Sequence, residues 1–255
     1  MRTRAALLLI ATFQLMVPRQ ATAQATDASF VVSWAGLEVG LVELRLAADS
    51  AAYRLSWQGR TVGWFGTLFP FEAEGVVAGR VEGTDFRPES FAGRSTSRNG
   101  VRQSRVAFGP GGRAMLVDVS ADDAADREPV PSELQVAPDP ASAALTAVHR
   151  AEPGLRLTAR SFDGRRALAY DLACGGNAVA APPAVLACSI SARLLAGASG
   201  RWRERPPSDA DRESIRVWLQ RGEDGGYSPV RLEFSSRFGT VMAQRVSPEN
   251  SPEAG

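Results

Sequence analysis

Few residues in this chain could carry acid–base, nucleophilic or metal chemistry. The single histidine is His149. An imidazole acts as a general base only with an orienting partner and a group to deprotonate. No serine or cysteine nucleophile motif accompanies it, so it reads as a structural or surface residue near a helix C-terminus, where a cation complements the dipole. Asp122, Asp123 and Asp126 cluster. Paired carboxylates are the machinery of glycoside hydrolysis, but beside Arg127 and a proline-rich stretch these read as a solvated loop. Gly109-Pro-Gly-Gly112 lacks the following helix and lysine of a phosphate cradle and reads as a turn. Cys174 and Cys188 do not form C-x-x-C, which excludes the usual thiol oxidoreductase motif. Zinc ligands come as close-spaced pairs, which the two cysteines and His149 do not supply. The expectation is a protein with no catalytic residues, no metal and no cofactor.

Two groups suit binding. Trp64, Phe65, Phe69 and Phe71 fall within eight residues, with Gly63 and Gly66 among them. Exposed at the mouth of a sheet, they would contact acyl chains or an apolar partner. Buried, they would plug a core. Arg94, Arg98 and Arg105 fall on one predicted hairpin, where they could meet a phosphate, an anionic head group or another envelope polymer. The competing reading is an ordinary solvated face.

These residues belong to a chain built for export. Arg2 and Arg4 precede an apolar run from Ala5 to Val17, and Ala21-Thr22-Ala23 offers a small-x-small cleavage site. That order reads as a signal peptide over residues 1–23, and the run is too short to span a bilayer. The expected location is the periplasm, and the mature protein is not membrane-spanning. Residues 1–23 hold Arg2, Arg4 and Arg19 and no acid. Of 29 basic and 28 acidic residues, 26 and 28 then remain, a net charge of −2. That balance is no footprint for nucleic acid. In an oxidising compartment, Cys174 and Cys188 read as one disulfide, the alternative being two buried thiols.

The body of the chain alternates with period two. Tyr53, Leu55 and Trp57 interleave with Arg54, Ser56 and Gln58. The same pattern covers Ile215–Leu219 and Val230–Phe234. Apolar side chains therefore share one face of each strand. Further strands are expected at 30–34, 37–46, 71–81, 113–119, 185–195 and 240–246, with Ala35-Gly36 joining the first two. Asn99-Gly100 suits a two-residue turn, which would set Phe91 opposite Phe108 and Arg94 opposite Arg105. Asp163-Gly164 would likewise set Leu157 opposite Tyr170 and Arg156 opposite Asp171. Both pairings sort apolar from polar faces. Cys174 and Cys188 each keep the apolar parity of their strand. One helix is expected over Pro140–Arg150, with Asp139 as N-cap and Pro140 at N1. A short helix is expected over Val62–Phe69. Residues 120–138 and 196–211 read as loops, and 247–255 as a disordered tail.

Several short motifs follow one another along most of the chain. They are Trp34-Ala-Gly-Leu-Glu-Val-Gly40, Phe69-Pro-Phe71 with a following Glu, and Pro129-Val-Pro131 before Asp139-Pro-Ala-Ser-Ala143. Phe162-Asp-Gly-Arg-Arg166 then leads into Tyr170-Asp-Leu172, and Val217-Trp-Leu219 precedes Pro229-Val-Arg-Leu232. The chain resembles the exported bacterial family known as domain of unknown function 3108. The resemblance implies a curved, incompletely closed antiparallel sheet, a half-barrel wrapped around one main helix, similar to periplasmic lipoprotein carriers. The expectation is an all-β protein with minor α content, a single domain over 24–246. Its expected role is a non-enzymatic cell-envelope protein binding an apolar or lipidic ligand in the half-barrel. The alternatives are an envelope-integrity factor acting through partner proteins and, third, a hydrolase.

Overall fold

The structure is a computed structural model that describes residues 24–178, 185–200, 213–223, 225–236 and 239–246. The expected signal peptide, most of the 196–211 loop and the 247–255 tail lie outside these residues. The strands are β1 (Gln24–Trp34), β2 (Leu37–Ala48), β3 (Ala52–Thr61), β4 (Phe71–Glu82), β5 (Asp85–Ser97), β6 (Gly100–Phe108) and β7 (Ala114–Val119). They continue as β8 (Arg156–Phe162), β9 (Ala167–Ala178), β10 (Val185–Ala196), β11 (Glu213–Arg221), β12 (Tyr227–Ser236) and β13 (Gly239–Val246). Helices α1 (Gly63–Leu68), α2 (Ala121–Ala125) and α3 (Pro140–His149) complete the order.

All the described strands form one antiparallel sheet in the order β7-β6-β5-β4-β3-β2-β1-β13-β12-β11-β10-β9-β8. From β1 at its centre the chain meanders outward to β7. It then crosses by α2 and α3 to the far end and meanders back from β8 to β13, which pairs with β1. Every ladder joins neighbours in this path, so no connection crosses another. The sheet curls without closing, because β7 and β8 do not pair. β-bulges at Val32/Ser33 and Ala78/Gly79 add local twist. A Cβ at Gly79 would run into the Arg87 carbonyl, and one at Gly75 into the Trp57 indole. Both strands approach closely only because these residues are glycine.

Helix α3 fills the concave side. Its Ala141 and Leu145 pack on a cluster of Tyr53, Val77, Phe86, Phe91, Val106, Phe108 and Phe162. Ala147 and Val148 pack on a second cluster that holds Leu172, Leu186, Val217 and Leu219. The helix begins as its sequence requires. The Asp139 carboxylate accepts from Ala141 N at 2.9 Å and Ser142 N at 3.1 Å, with Pro140 in the first turn. Cys174 and Cys188 occupy opposed positions of β9 and β10, with Cα atoms 4.0 Å apart and sulfurs at disulfide distance.

Two hairpin registers differ from the sequence reading, both by two residues. Phe91 faces Val106 and Arg94 faces Gln103, while Arg105 lies opposite Ala92. A type I′ turn on Asn99-Gly100 needs positive φ at both residues, and only Gly100 has it (φ 104°). The turn sits one residue earlier, with Ser97 opposite Gly100. In the second hairpin Leu157 faces Leu172 and Thr158 faces Asp171, leaving a four-residue loop at 163–166. There the Asp163 carboxylate accepts from the backbone of Arg165 at 2.8 Å and Arg166 at 2.7 Å, which holds the longer loop closed. A shift of two keeps every side chain on its expected face.

The 120–138 segment also departs from the expected loop. It contains α2, and the Asp123 side chain is only 2 % exposed. Asp123 is ion-paired to Arg127 (3.1 Å), Arg165 (3.3 Å) and Arg102 (3.8 Å). Arg102 belongs to β6 and Arg165 to the β8–β9 loop, so one carboxylate ties the two ends of the sheet together. Arg127 also donates to the Gly197 carbonyl at 2.9 Å, and Ser104 on β6 donates to the Asp163 carbonyl.

Candidate functional site: an apolar rim at one end of the sheet

β2 begins at Leu37, β3 ends at Thr61, β4 begins at Phe71, β5 ends at Ser97 and β6 begins at Gly100. The connections at these positions therefore lie at one end of the sheet. The β3–β4 connection is α1. It is a single short helix, with Phe69 N donating to Phe65 O at 2.7 Å. Thr61 pins both of its flanks. Its hydroxyl donates to the Phe69 carbonyl at 3.0 Å and accepts from Phe71 N at 3.0 Å. Gly66 lies so close to the Thr61 backbone that a Cβ there would crowd it. The turn is held tightly by its backbone, and its large side chains point away.

α1 has no buried residue. Phe65 is half-buried, in edge contact with Trp34 at 5.9 Å and Trp64 at 5.9 Å, and tilted against Phe69 at 5.0 Å. Trp64, Leu68, Phe69 and Phe71 of this connection are exposed, and at the same end of the sheet so are Leu37 beside the first turn and Val101 beside the third. All six are 45–58 % exposed. The core-plug reading of the aromatic segment is overturned. The α1 turn is too short, and too firmly tied to Thr61, to fold its rings under the sheet.

Basic groups flank this rim. Arg98 donates from Nη2 to the Thr67 carbonyl of α1 at 3.1 Å. A hollow of about 530 Å³ runs beside α1 between Arg60, Phe71, Glu72 and Arg98. It continues over the outer face as a groove of about 370 Å³ that reaches Glu74 and Arg94. Glu72 lies opposite Arg60 and Glu74 opposite Arg94, so the groove floor is charge-balanced while its mouth at Arg98 is basic. The structure thus brings Phe71 and Arg98 together at the hollow, with Trp64 and Phe69 on the adjoining turn, while Arg94 lines the groove farther along the outer face. Arg105 stands apart, on the next strand and ion-paired to Asp118 at 3.4 Å. Sequence reading missed Leu37, Leu68, Val101 and Arg60. The first and third sit beside turn signals at the same end of their hairpins, which was the available clue.

The other chemical candidates take structural positions. His149 is exposed at the end of α3, with its ring edge-on to Phe86 at 5.7 Å. Asp122 and Asp126 are exposed, and both oxygens of Asp123 are engaged by guanidinium groups. Among the described residues no group of three or more His, Cys, Asp or Glu is placed to hold a metal ion. Among them, too, no helix is long and apolar enough to cross a membrane.

The family described as "Protein of unknown function (DUF3108)" matches residues 29–245, from β1 to β13. The chain belongs to this family. Both the rim and the Asp123 cluster lie inside the matched region. A crystal structure of a beta-barrel-like protein of domain of unknown function DUF1849 from Brucella abortus is similar in fold. It is 11% identical, with a TM-score of 0.52, and the match covers 89% of this chain and 97% of that one. A DUF1089 family protein from Pseudomonas aeruginosa matches more loosely, at 14% identity and a TM-score of 0.31 over 76% of this chain and 92% of that one. No curated protein matches.

Proposed function

We propose that this is a non-enzymatic periplasmic protein of the cell envelope that engages lipid through the α1 rim. The observation carrying this reading is the exposure of Trp64, Leu68, Phe69 and Phe71 on one short connection beside Arg98 and Arg60, with Leu37 and Val101 exposed at the same end of the sheet. Tryptophan and phenylalanine on a polar scaffold partition to the head-group boundary of a bilayer. Each arginine held at an anionic surface adds about 1 kcal/mol. The rim is small, so the contact is reversible and peripheral.

A ligand enclosed within the half-barrel fits less well. α3 and its two clusters occupy the concave side where such a ligand would lie. Two of the described hollows open on the outer face and at the rim, and another of about 540 Å³ opens at the opposite end of the sheet, between Arg87, Phe108, Pro110 and Val136. In this reading the curved sheet is the rigid support and the rim is the contact.

Vesicle co-sedimentation of the exported protein tests this. The expected result is binding to vesicles of phosphatidylethanolamine with phosphatidylglycerol, and weaker binding to phosphatidylcholine alone. The double variant Trp64→Ala, Phe69→Ser should bind roughly tenfold more weakly or worse, since 1.4 kcal/mol is a factor of ten. Its circular dichroism should not change, because both side chains are exposed. Equal binding by the variant, or none by the native chain, overturns the proposal.

A further inference from the structure

The hollow beside α1 and the groove that continues it carry charge in a fixed order. At the rim stands Arg98, held by the Thr67 carbonyl at 3.1 Å, and deeper in the same hollow are Arg60 and Glu72. Glu74 and Glu43 follow in the groove, with Arg94. All six are exposed. Among the described residues none of them is ion-paired, whereas Arg45 and Arg105 nearby on the outer face are held by Asp27 and Asp118. The hollow thus has a surplus guanidinium beside the apolar rim, and the groove beyond it a surplus carboxylate.

Apolar, basic, acidic is the complement of a phospholipid with an amine in its head group, read outward from its acyl chains. We infer that the hollow takes the head group of phosphatidylethanolamine, with the phosphate held by Arg98 and Arg60 and the ammonium by Glu72. The inference rests on the reading of the rim as a lipid contact and names the lipid. Guanidinium groups bind phosphate through paired donors. Arg98 gives only Nη2 to Thr67, which leaves further N–H donors for the phosphate. A primary ammonium brings three N–H donors to a carboxylate. The trimethylammonium of phosphatidylcholine has no N–H and is bound best by an aromatic cage. Among the described residues lining the hollow, Phe71 supplies the only ring. Phosphatidylglycerol offers the phosphate alone and leaves Glu72 without a cation.

Co-sedimentation tests this with vesicles that share one content of phosphatidylglycerol and differ in the remaining lipid, phosphatidylethanolamine or phosphatidylcholine. The native chain should bind the ethanolamine vesicles about fivefold more tightly, the scale of one exposed charge pair. Glu72→Gln should bring that binding down to the choline level. Arg98→Gln should weaken binding to both vesicle types by a similar factor, because both lipids carry the phosphate. Glu152→Gln, an exposed carboxylate outside the hollow, should keep the preference. Free glycerophosphoethanolamine, without acyl chains, should compete only at millimolar concentrations. A preference that survives Glu72→Gln comes from the packing of the bilayer and overturns the inference. Native binding with no preference overturns it too and leaves the rim reading standing, whereas no binding to either vesicle overturns both. Displacement by micromolar free head group assigns the hollow to a soluble phosphoester and overturns the lipid as its occupant.

Discussion

Tyr53 on β3 and Ser142 on α3 meet hydroxyl to hydroxyl at 2.6 Å, both buried. Ser142 donates its proton to the Asp139 carboxylate, which leaves the phenol to donate to Ser142. A strand, a helix and the helix cap are thus joined by one polar chain where α3 enters the core. Removing the phenol hydroxyl deletes one hydrogen bond and leaves the cap in place. Tyr53→Phe should cost about 1 kcal/mol. Asp139→Ala strips the cap and leaves buried donors unpaired, and should cost about 2 kcal/mol or more. Urea unfolding of the two variants checks the order, and equal costs would show that the chain does not act as described.

Burial raises the pKa of Asp139 above its ordinary 3.8, against the lowering effect of its hydrogen bonds from Ser142 and Ala141. The folded state therefore binds this proton more tightly than the unfolded chain does. The resulting stability is fully present below the unfolded value and is lost as pH rises through the raised folded value. Asp139→Asn keeps an acceptor at the cap and cannot titrate. The stability of the native chain relative to this variant should be greatest in acid and decline toward neutral pH. Unfolding midpoints measured from pH 3 to pH 8 check it, and a constant difference would refute it.

The buried Asp123 holds three arginines, Arg127 of its own segment and Arg102 and Arg165 from the two ends of the sheet. Removing one partner of a buried ion pair leaves charge uncompensated, at a cost of about 3 kcal/mol. Asp123→Ala should unfold near that margin and speed hydrogen exchange at β6 and the β8–β9 loop. Asp122→Ala, one residue away and exposed, should stay within about 0.5 kcal/mol of the native chain. Equal effects would show that Asp123 is not the tie.

Cys174 and Cys188 are 14 residues apart in sequence and close the β9–β10 connection. Reduction restores freedom to the unfolded chain, so stability should fall on the order of 3 kcal/mol for a loop of this length. The double variant Cys174→Ala, Cys188→Ala should match the reduced protein and no longer respond to reductant. Comparing denaturation with and without reductant checks this.

The strands were legible because alternation is local. Tyr53, Leu55 and Trp57 announce one face of β3 wherever that strand lies. The α3 cap was legible because Asp139, Pro140 and the alanine-rich run that follows are contiguous. Hairpin register was not, because a two-residue shift preserves every face. Only the backbone at Asn99 and the hydrogen bonds of Asp163 decided it. Asp123 was misread for a similar reason. Its neighbours in sequence are exposed, and two of its three arginines, Arg102 and Arg165, come from elsewhere in the chain.

The sequence by itself settled the kind of sheet, the faces of the two cysteines and the one capped helix, and left open whether the aromatic segment plugs the core or faces outward. The tertiary structure decided that α3 packs against both core clusters, that Leu37, Val101 and α1 fall at one end of the sheet, and that Asp123 ties β6 to the β8–β9 loop. The division follows from physics. Propensity, capping and alternation act over a few residues, whereas a shared surface depends on which distant strands become neighbours, and that is fixed only when the whole sheet has formed.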